Sequence, residues 1–97
     1  MIADASIAVV ARNQVSSDLG GEAVILHLAS GTYYSLNEVG ATIWNLLQQP
    51  RRVRQILDHV VAEYDIDREE CAADLHRLLD ALSREGLIEI YHENAAA

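Results

Sequence analysis

The spacing of apolar side chains changes near residue 37 and divides the chain into two halves. Up to Leu36 apolar and polar residues tend to alternate, the period of a strand with one buried face. From Asn37 onward they recur at intervals of three and four, the period of a helix. In the first half, Val15 to Leu19 and Glu22 to Leu28 are strand-like runs separated by Gly20-Gly21. A Gly-Gly pair can take positive φ at both turn positions, as the tightest hairpins require. Val24, Leu26 and Leu28 share one face of the second run and mark it as the apolar face, with His27 turned out of it. Ala29-Ser30-Gly31 turns the chain into Thr32-Tyr33-Tyr34-Ser35-Leu36, rich in β-branched and aromatic types. The pattern predicts a three-stranded antiparallel meander after a loosely ordered N-terminus over residues 1–8.

In the second half, Asn37 suits an N-cap and Glu38 places negative charge in the first turn. Val39, Ile43, Leu46 and Leu47 follow at helical spacing beside Trp44, and Pro50 closes the segment. Gly40 inside this helix costs about 1 kcal/mol relative to alanine, so it predicts the close approach of another element. A second helix over Val53 to Tyr64 carries the stripe Val53, Ile56, Leu57, Val60, Val61 and Tyr64. Asp67 caps a third, with Glu70 at capping-box spacing. Its stripe is Cys71, Leu75, Leu78, Leu79 and Leu82, and Gly86 suits its C′ position. Leu87 to Tyr91 has strand character, and residues 92–97 read as a tail. The predicted fold class is α+β, βββααα, one domain over residues 9–91.

Composition narrows the function. The 97 residues carry 15 acidic and 7 basic side chains, a net charge of −8, with no lysine. Nucleic-acid binding draws on phosphate neutralisation by Lys and Arg, so no nucleic-acid partner is expected. Arg51, Arg52 and Arg54 form the one local basic cluster and read as a solvated helix start. No apolar stretch approaches 18 residues, so no membrane partner is expected. Met1-Ile2-Ala3-Asp4 lacks the positive n-region of a signal peptide. The single cysteine, Cys71, cannot form an internal disulfide, which favours a cytoplasmic protein.

Catalytic constellations are missing from the sequence. Cys71 lies among Glu69 and Glu70, whose charges disfavour a reactive thiolate. His27, His59, His76 and His92 are never at i,i+4 and never join Cys71 at a metal-ligand spacing. The five glycines build neither GxGxxG nor GK[ST]. The expectation is a protein that is not an enzyme and takes no metal or cofactor. What remains is a sheet edge. The third strand of the meander lies at an edge, and Thr32 to Leu36 holds neither the charge nor the proline that usually blunts one. Such an edge is covered by another element, for which Leu87 to Tyr91 or a second subunit would serve, or it accepts a peptide as an added strand.

The pattern GxYYxLNxxGxxIW of Gly31 to Trp44, followed by DLxxLLxxLxxxGLI of Asp74 to Ile88, resembles the PqqD family over roughly residues 9–91. The resemblance implies a RiPP recognition element, a winged-helix-like domain that captures the leader peptide of a ribosomally made precursor. In that family the leader adds as an antiparallel strand along the third strand, in a groove walled by the third helix. Carried over by position, the strand wall is Thr32, Tyr33, Tyr34 and Ser35, and the helix wall is Asp74, Arg77, Leu78 and Ala81. Positions 74, 77, 78 and 81 share a helix face, while 75, 79 and 82 face the core. Thr32, Tyr34 and Leu36 point toward the helices, Tyr33 and Ser35 away from them. Asn37 and Gly40 match the motif as a cap and a close contact, and Leu36 and Trp44 as core. The tyrosine pair, LNEVG and the tryptophan are closest to the free-standing members of lasso-peptide clusters. There the implied partners are a transglutaminase-like cysteine protease that removes the leader and an asparagine-synthetase-like cyclase. The alternatives are a winged-helix DNA-binding regulator, which the charge opposes, a PqqD-type chaperone presenting a peptide to a radical-SAM enzyme, and a scaffold that touches no leader.

Overall fold

The computed structural model describes residues 2–92. Four strands, β1 (Ile7–Val10), β2 (Gln14–Leu19), β3 (Glu22–His27) and β4 (Thr32–Leu36), lead into helix α1 (Glu38–Leu46). A two-residue strand β5 (Arg51–Arg52), helices α2 (Val53–Tyr64) and α3 (Arg68–Arg84), and strand β6 (Ile88–Tyr91) follow. The expected meander is present as the antiparallel sheet β2-β3-β4. Gly20 and Gly21 turn it with φ of 65° and 95°, so Leu19 pairs with Glu22 and Val15 with Leu26. Leu26 in turn pairs with Tyr33, and Ile25 with Tyr34.

One face assignment is corrected. The buried residues of β3 are Ala23 and Ile25, not Val24 and Leu26, and Leu28 lies past the strand end, 55% exposed. The run Ala23-Val24-Ile25-Leu26 is apolar on both faces, so alternation within the strand could not choose between them. Packing against α1 does, because the Nε1 of buried Trp44 donates to Ser16 Oγ at 3.1 Å on that side of the sheet.

A second sheet, β5-β1-β6, was not visible in the pattern. Ala8 pairs with Arg51 on one edge and Ile90 on the other and is fully buried. Where the sequence suggested a loose N-terminus, residues 3–8 are hydrogen-bonded. Ser6 Oγ accepts from the Ala3 N–H at 3.0 Å and lies 2.8 Å from His92 Nδ1. The N–H groups of Val53 and Arg54, orphans of the first turn of α2, donate to the carbonyls of Ser6 and Asp4. Beyond His92 the expected tail lies outside the described residues.

The three helices follow the sequence closely. Asn37 Oδ1 accepts from the Gly40 N–H at 2.9 Å and Asp67 Oδ2 from the Glu70 N–H at 3.1 Å. Such caps are worth about 1 kcal/mol each. α1 ends at Leu46, ahead of Pro50. At the end of α3, Gly86 N–H donates to Ser83 O and Leu87 N–H to Leu82 O, with Gly86 at φ 73°. This is a Schellman motif, and it turns the chain into β6. Trp44, Leu47, Val53, Ile56, Leu75 and Leu79 are fully or almost fully buried between the sheets and helices. Each contributes about 1.5–3 kcal/mol of hydrophobic stabilisation. Among the described residues no helix is long and apolar enough to cross a membrane.

Candidate functional site

β4 pairs with β3 along one edge, and no other described strand pairs with it. β6, the segment that could have covered the free edge, is paired with β1 instead. Along that edge β4 therefore offers backbone N–H and C=O groups without a ladder partner. α3 lies across from it. A cavity of about 440 Å³ opens between Ser35, Leu36 and Asn37 on the strand side and Asp74 and Leu78 on the helix side. Its other lining residues are Val39, Gly40, Ile43, Val60, Ile66, Cys71 and Leu75. Of these, the buried side chains of Ile43, Val60, Cys71 and Leu75 form an apolar floor.

Gly40 explains how the strand and α1 meet there. A Cβ at this position would stand 3.1 Å from Leu36 Cβ. Without one, the cap at Asn37 and the first turn of α1 can press against the end of β4. This is the close approach expected from a glycine inside a helix.

The expected site residues fall in different places. Ser35, Asp74 and Leu78 line the cavity. Tyr34 lies farther along the groove, where its hydroxyl donates to Glu85 Oε2 at 2.6 Å and joins β4 to the C-terminal end of α3. That hydrogen bond, followed by desolvation and the charge of Glu85, pushes the Tyr34 phenol above its ordinary range. Arg77 is exposed and donates to Asp74 Oδ1 at 3.1 Å. Thr32, Tyr33 and Ala81 are exposed and do not line the cavity; Tyr33, at 69%, stands on the outer face of the sheet. The sequence reading missed Glu85 and the cavity role of Leu36, Asn37 and Gly40, although the LNxxG spacing joins those three.

The groups dismissed as catalysts have structural partners. Burial and then the Asp74 charge push the Cys71 thiol up, with Arg68 pulling weakly the other way. The direction matches the sequence expectation, but Asp74 and burial, not Glu69 and Glu70, are the causes. His27 is held between Ser30 Oγ and Asn13 Nδ2, His59 lies 3.8 Å from Glu63, and His76 lies 3.3 Å from Asp4. No group of three or more His, Cys, Asp and Glu among the described residues could hold a metal ion. Arg51 Nε donates to Leu46 O and Arg52 to Ala5 O, so two of the three clustered arginines brace chain segments.

An unpaired strand edge over an apolar cleft is the geometry to which a peptide can add as a strand, the class of site this fold presents. Residues 22–88 match the family described as Coenzyme PQQ synthesis protein D (PqqD), and the chain belongs to that family. It is similar to a solved structure described as "TbiB1 in Complex with the TbiA(beta) Leader Peptide", at 39% identity and a TM-score of 0.79. That match covers 88% of this chain and 99% of the other. A second solved structure, "Lasso peptide synthetase B1 complexed with the leader peptide", is 21% identical with a TM-score of 0.74, over 84% of this chain and 96% of that one. It shows a shared fold. No curated protein sequence matches the chain.

Proposed function

We propose that this protein captures the leader peptide of a ribosomally made precursor as an added antiparallel strand on β4, and that it does so without catalysis, in lasso-peptide biosynthesis. The observation that carries this reading is the free β4 edge beside an apolar cavity of about 440 Å³. Backbone pairing supplies affinity without regard to sequence, and the cavity selects the side chain that enters it. The leader-bound relative at 39% identity supports the same reading. Thr32, Tyr33, Tyr34 and Ser35 would supply the strand wall, and Asp74, Arg77, Leu78 and Ala81 the helix wall. Cys71, with its thiol pushed up by burial, is a packing residue of the floor rather than a nucleophile.

Calorimetry with the leader of the cognate precursor tests the reading. An aspartate in place of Ala81 sets an unpaired charge where the docked leader excludes water, so Ala81→Asp should lose at least about tenfold in affinity. His59→Asp, on exposed α2, should bind as the parent does. Equal affinities for the two variants, both folded by circular dichroism, would remove α3 from the site. Mass change of a precursor incubated with this protein alone would overturn the non-catalytic part. DNA binding that weakens steeply with salt would favour a regulator instead.

Delivery to a leader protease, and then to a cyclase, needs a second surface. The outer face of β2-β3-β4 would supply one: Val15, Leu26 and Tyr33 stand in one paired row, Leu28 follows two residues after Leu26, and Leu19 pairs with Glu22 at the hairpin end of the sheet. Val15, Leu19, Leu28 and Tyr33 are each more than half exposed. A leader strand on β4 extends this same face, so the protease would meet a surface made by protein and leader together. Val15→Asp should leave leader affinity unchanged and slow leader removal in the reconstituted reaction. Unchanged cleavage would place the protease elsewhere.

A further inference from the structure

From Asp74 to the C-cap residue Glu85, α3 carries three carboxylates whose surroundings differ. Asp74 is paired with Arg77 at 3.1 Å and Asp80 with Arg84 at 3.0 Å. Glu85, at the end of the helix, has no cation within ion-pair distance among the described residues. Its carboxylate has one partner there, the neutral phenol of Tyr34, which donates to Oε2 at 2.6 Å. That bond fixes the carboxylate against β4 and leaves Oε1 for another donor. Tyr34 pairs with buried Ile25 and so is on the helix-facing side of β4, which sets the fixed negative charge between β4 and the end of α3.

Distances along the groove set a spacing. Leu78, at the cavity, and Glu85 are seven helical residues apart, about 10 Å at 1.5 Å per residue. A strand advances about 3.3 Å per residue and repeats its faces every second residue. That distance is about three strand residues, so the same-face side chains two and four positions from the one in the cavity, about 6.6 and 13 Å along, fall about 3–4 Å to either side of Glu85. A long cationic side chain reaches it from either place. The net charge of −8 favours the same kind of ligand.

We propose that Glu85 is a specificity residue that selects leader peptides bearing a lysine or arginine two or four positions from the apolar side chain in the cavity, with Tyr34 as the positioning residue that aims its carboxylate. This rests on the groove being the leader site. The test is selection of random twelve-residue peptides displayed on phage against the full chain and four variants: Glu85→Gln, Glu85→Lys, Tyr34→Phe and Ala81→Asp. The parent pool should share an apolar anchor and a Lys or Arg at one fixed spacing from it. Glu85→Gln should keep the anchor and lose the cation preference, and a parent-selected peptide should bind it about threefold to fivefold more weakly. Glu85→Lys should turn the preference at that position to Asp or Glu. Tyr34→Phe should weaken cation-bearing peptides more than their alanine-substituted counterparts, whereas a merely structural role would weaken both alike. A parent pool with an anchor but no cation preference, or a cation preference that survives Glu85→Gln, would overturn the assignment. A pool without a shared anchor, or one that Ala81→Asp selects with undiminished affinity, would instead overturn the groove as the leader site.

Discussion

β1 has four residues and β4 has five, but β1 is paired along both edges and β4 along one. The β1 sheet gathers distant parts of the chain: its partners are Arg51–Arg52 and Ile88–Tyr91. Its own edges are blunted, since β5 is only two residues long and β6 carries Glu89. The β4 sheet is built from local hairpins and leaves an edge with neither charge nor proline beside an apolar cavity. One sheet closes the molecule and the other presents a surface. In so small a chain the two tasks fall to different strands because a strand buried on both edges has no backbone groups left to offer.

Substitutions can break that division. Ala8 is fully buried at the centre of the closing sheet, so Ala8→Asp should cost several kcal/mol, enough to unfold much of a marginally stable domain. Tyr33→Asp, on the outer face of the presenting sheet, should change stability by about 0.5 kcal/mol or less. Thermal unfolding followed by circular dichroism compares the two, and equal losses would erase the distinction. Gly40→Ala sharpens it. The added methyl gains up to about 1 kcal/mol of helix propensity but meets Leu36 Cβ at 3.1 Å. Stability should stay within about 1 kcal/mol of the parent while the displaced end of β4 weakens leader affinity about threefold. Calorimetry and thermal unfolding on one sample separate the two effects.

The smallest expected effect is kinetic. Burial and Asp74 raise the Cys71 pKa, so thiolate is scarce at neutral pH. Alkylation by iodoacetamide should be slower than that of a free thiol at pH 7.5 and should accelerate as pH rises through the raised value. Saturating leader should slow it further, because Cys71 lines the cavity the leader would fill. A rate indifferent to leader would mean that the cavity stays open in the complex.

The helical half was nearly complete in the sequence, because Asn37, Asp67 and Gly86 mark boundaries through local bonds that each segment makes with itself. The Gly20-Gly21 hairpin was legible for the same reason. β1 and β5 were not, since their pairing joins Ile7 to Arg52 and Tyr91, and nothing local records a partner that far away. The buried face of β3 was misjudged because Ala23 to Leu26 is apolar throughout. In the groove, Asp74 and Leu78 came from the family resemblance, and helical spacing set them on one face. Glu85 did not, because its role comes from the reach of Tyr34 across 51 positions of sequence.

Amide hydrogen exchange along β4 tests strand addition most directly. In the free protein the edge amides of Thr32 to Leu36 should exchange much faster than the β3 amides paired on both sides. With saturating cognate leader, protection should rise at least about tenfold within Thr32–Leu36 and little in β1. A saturated complex in which β4 exchange is unchanged would contradict capture of the leader as a strand on that edge.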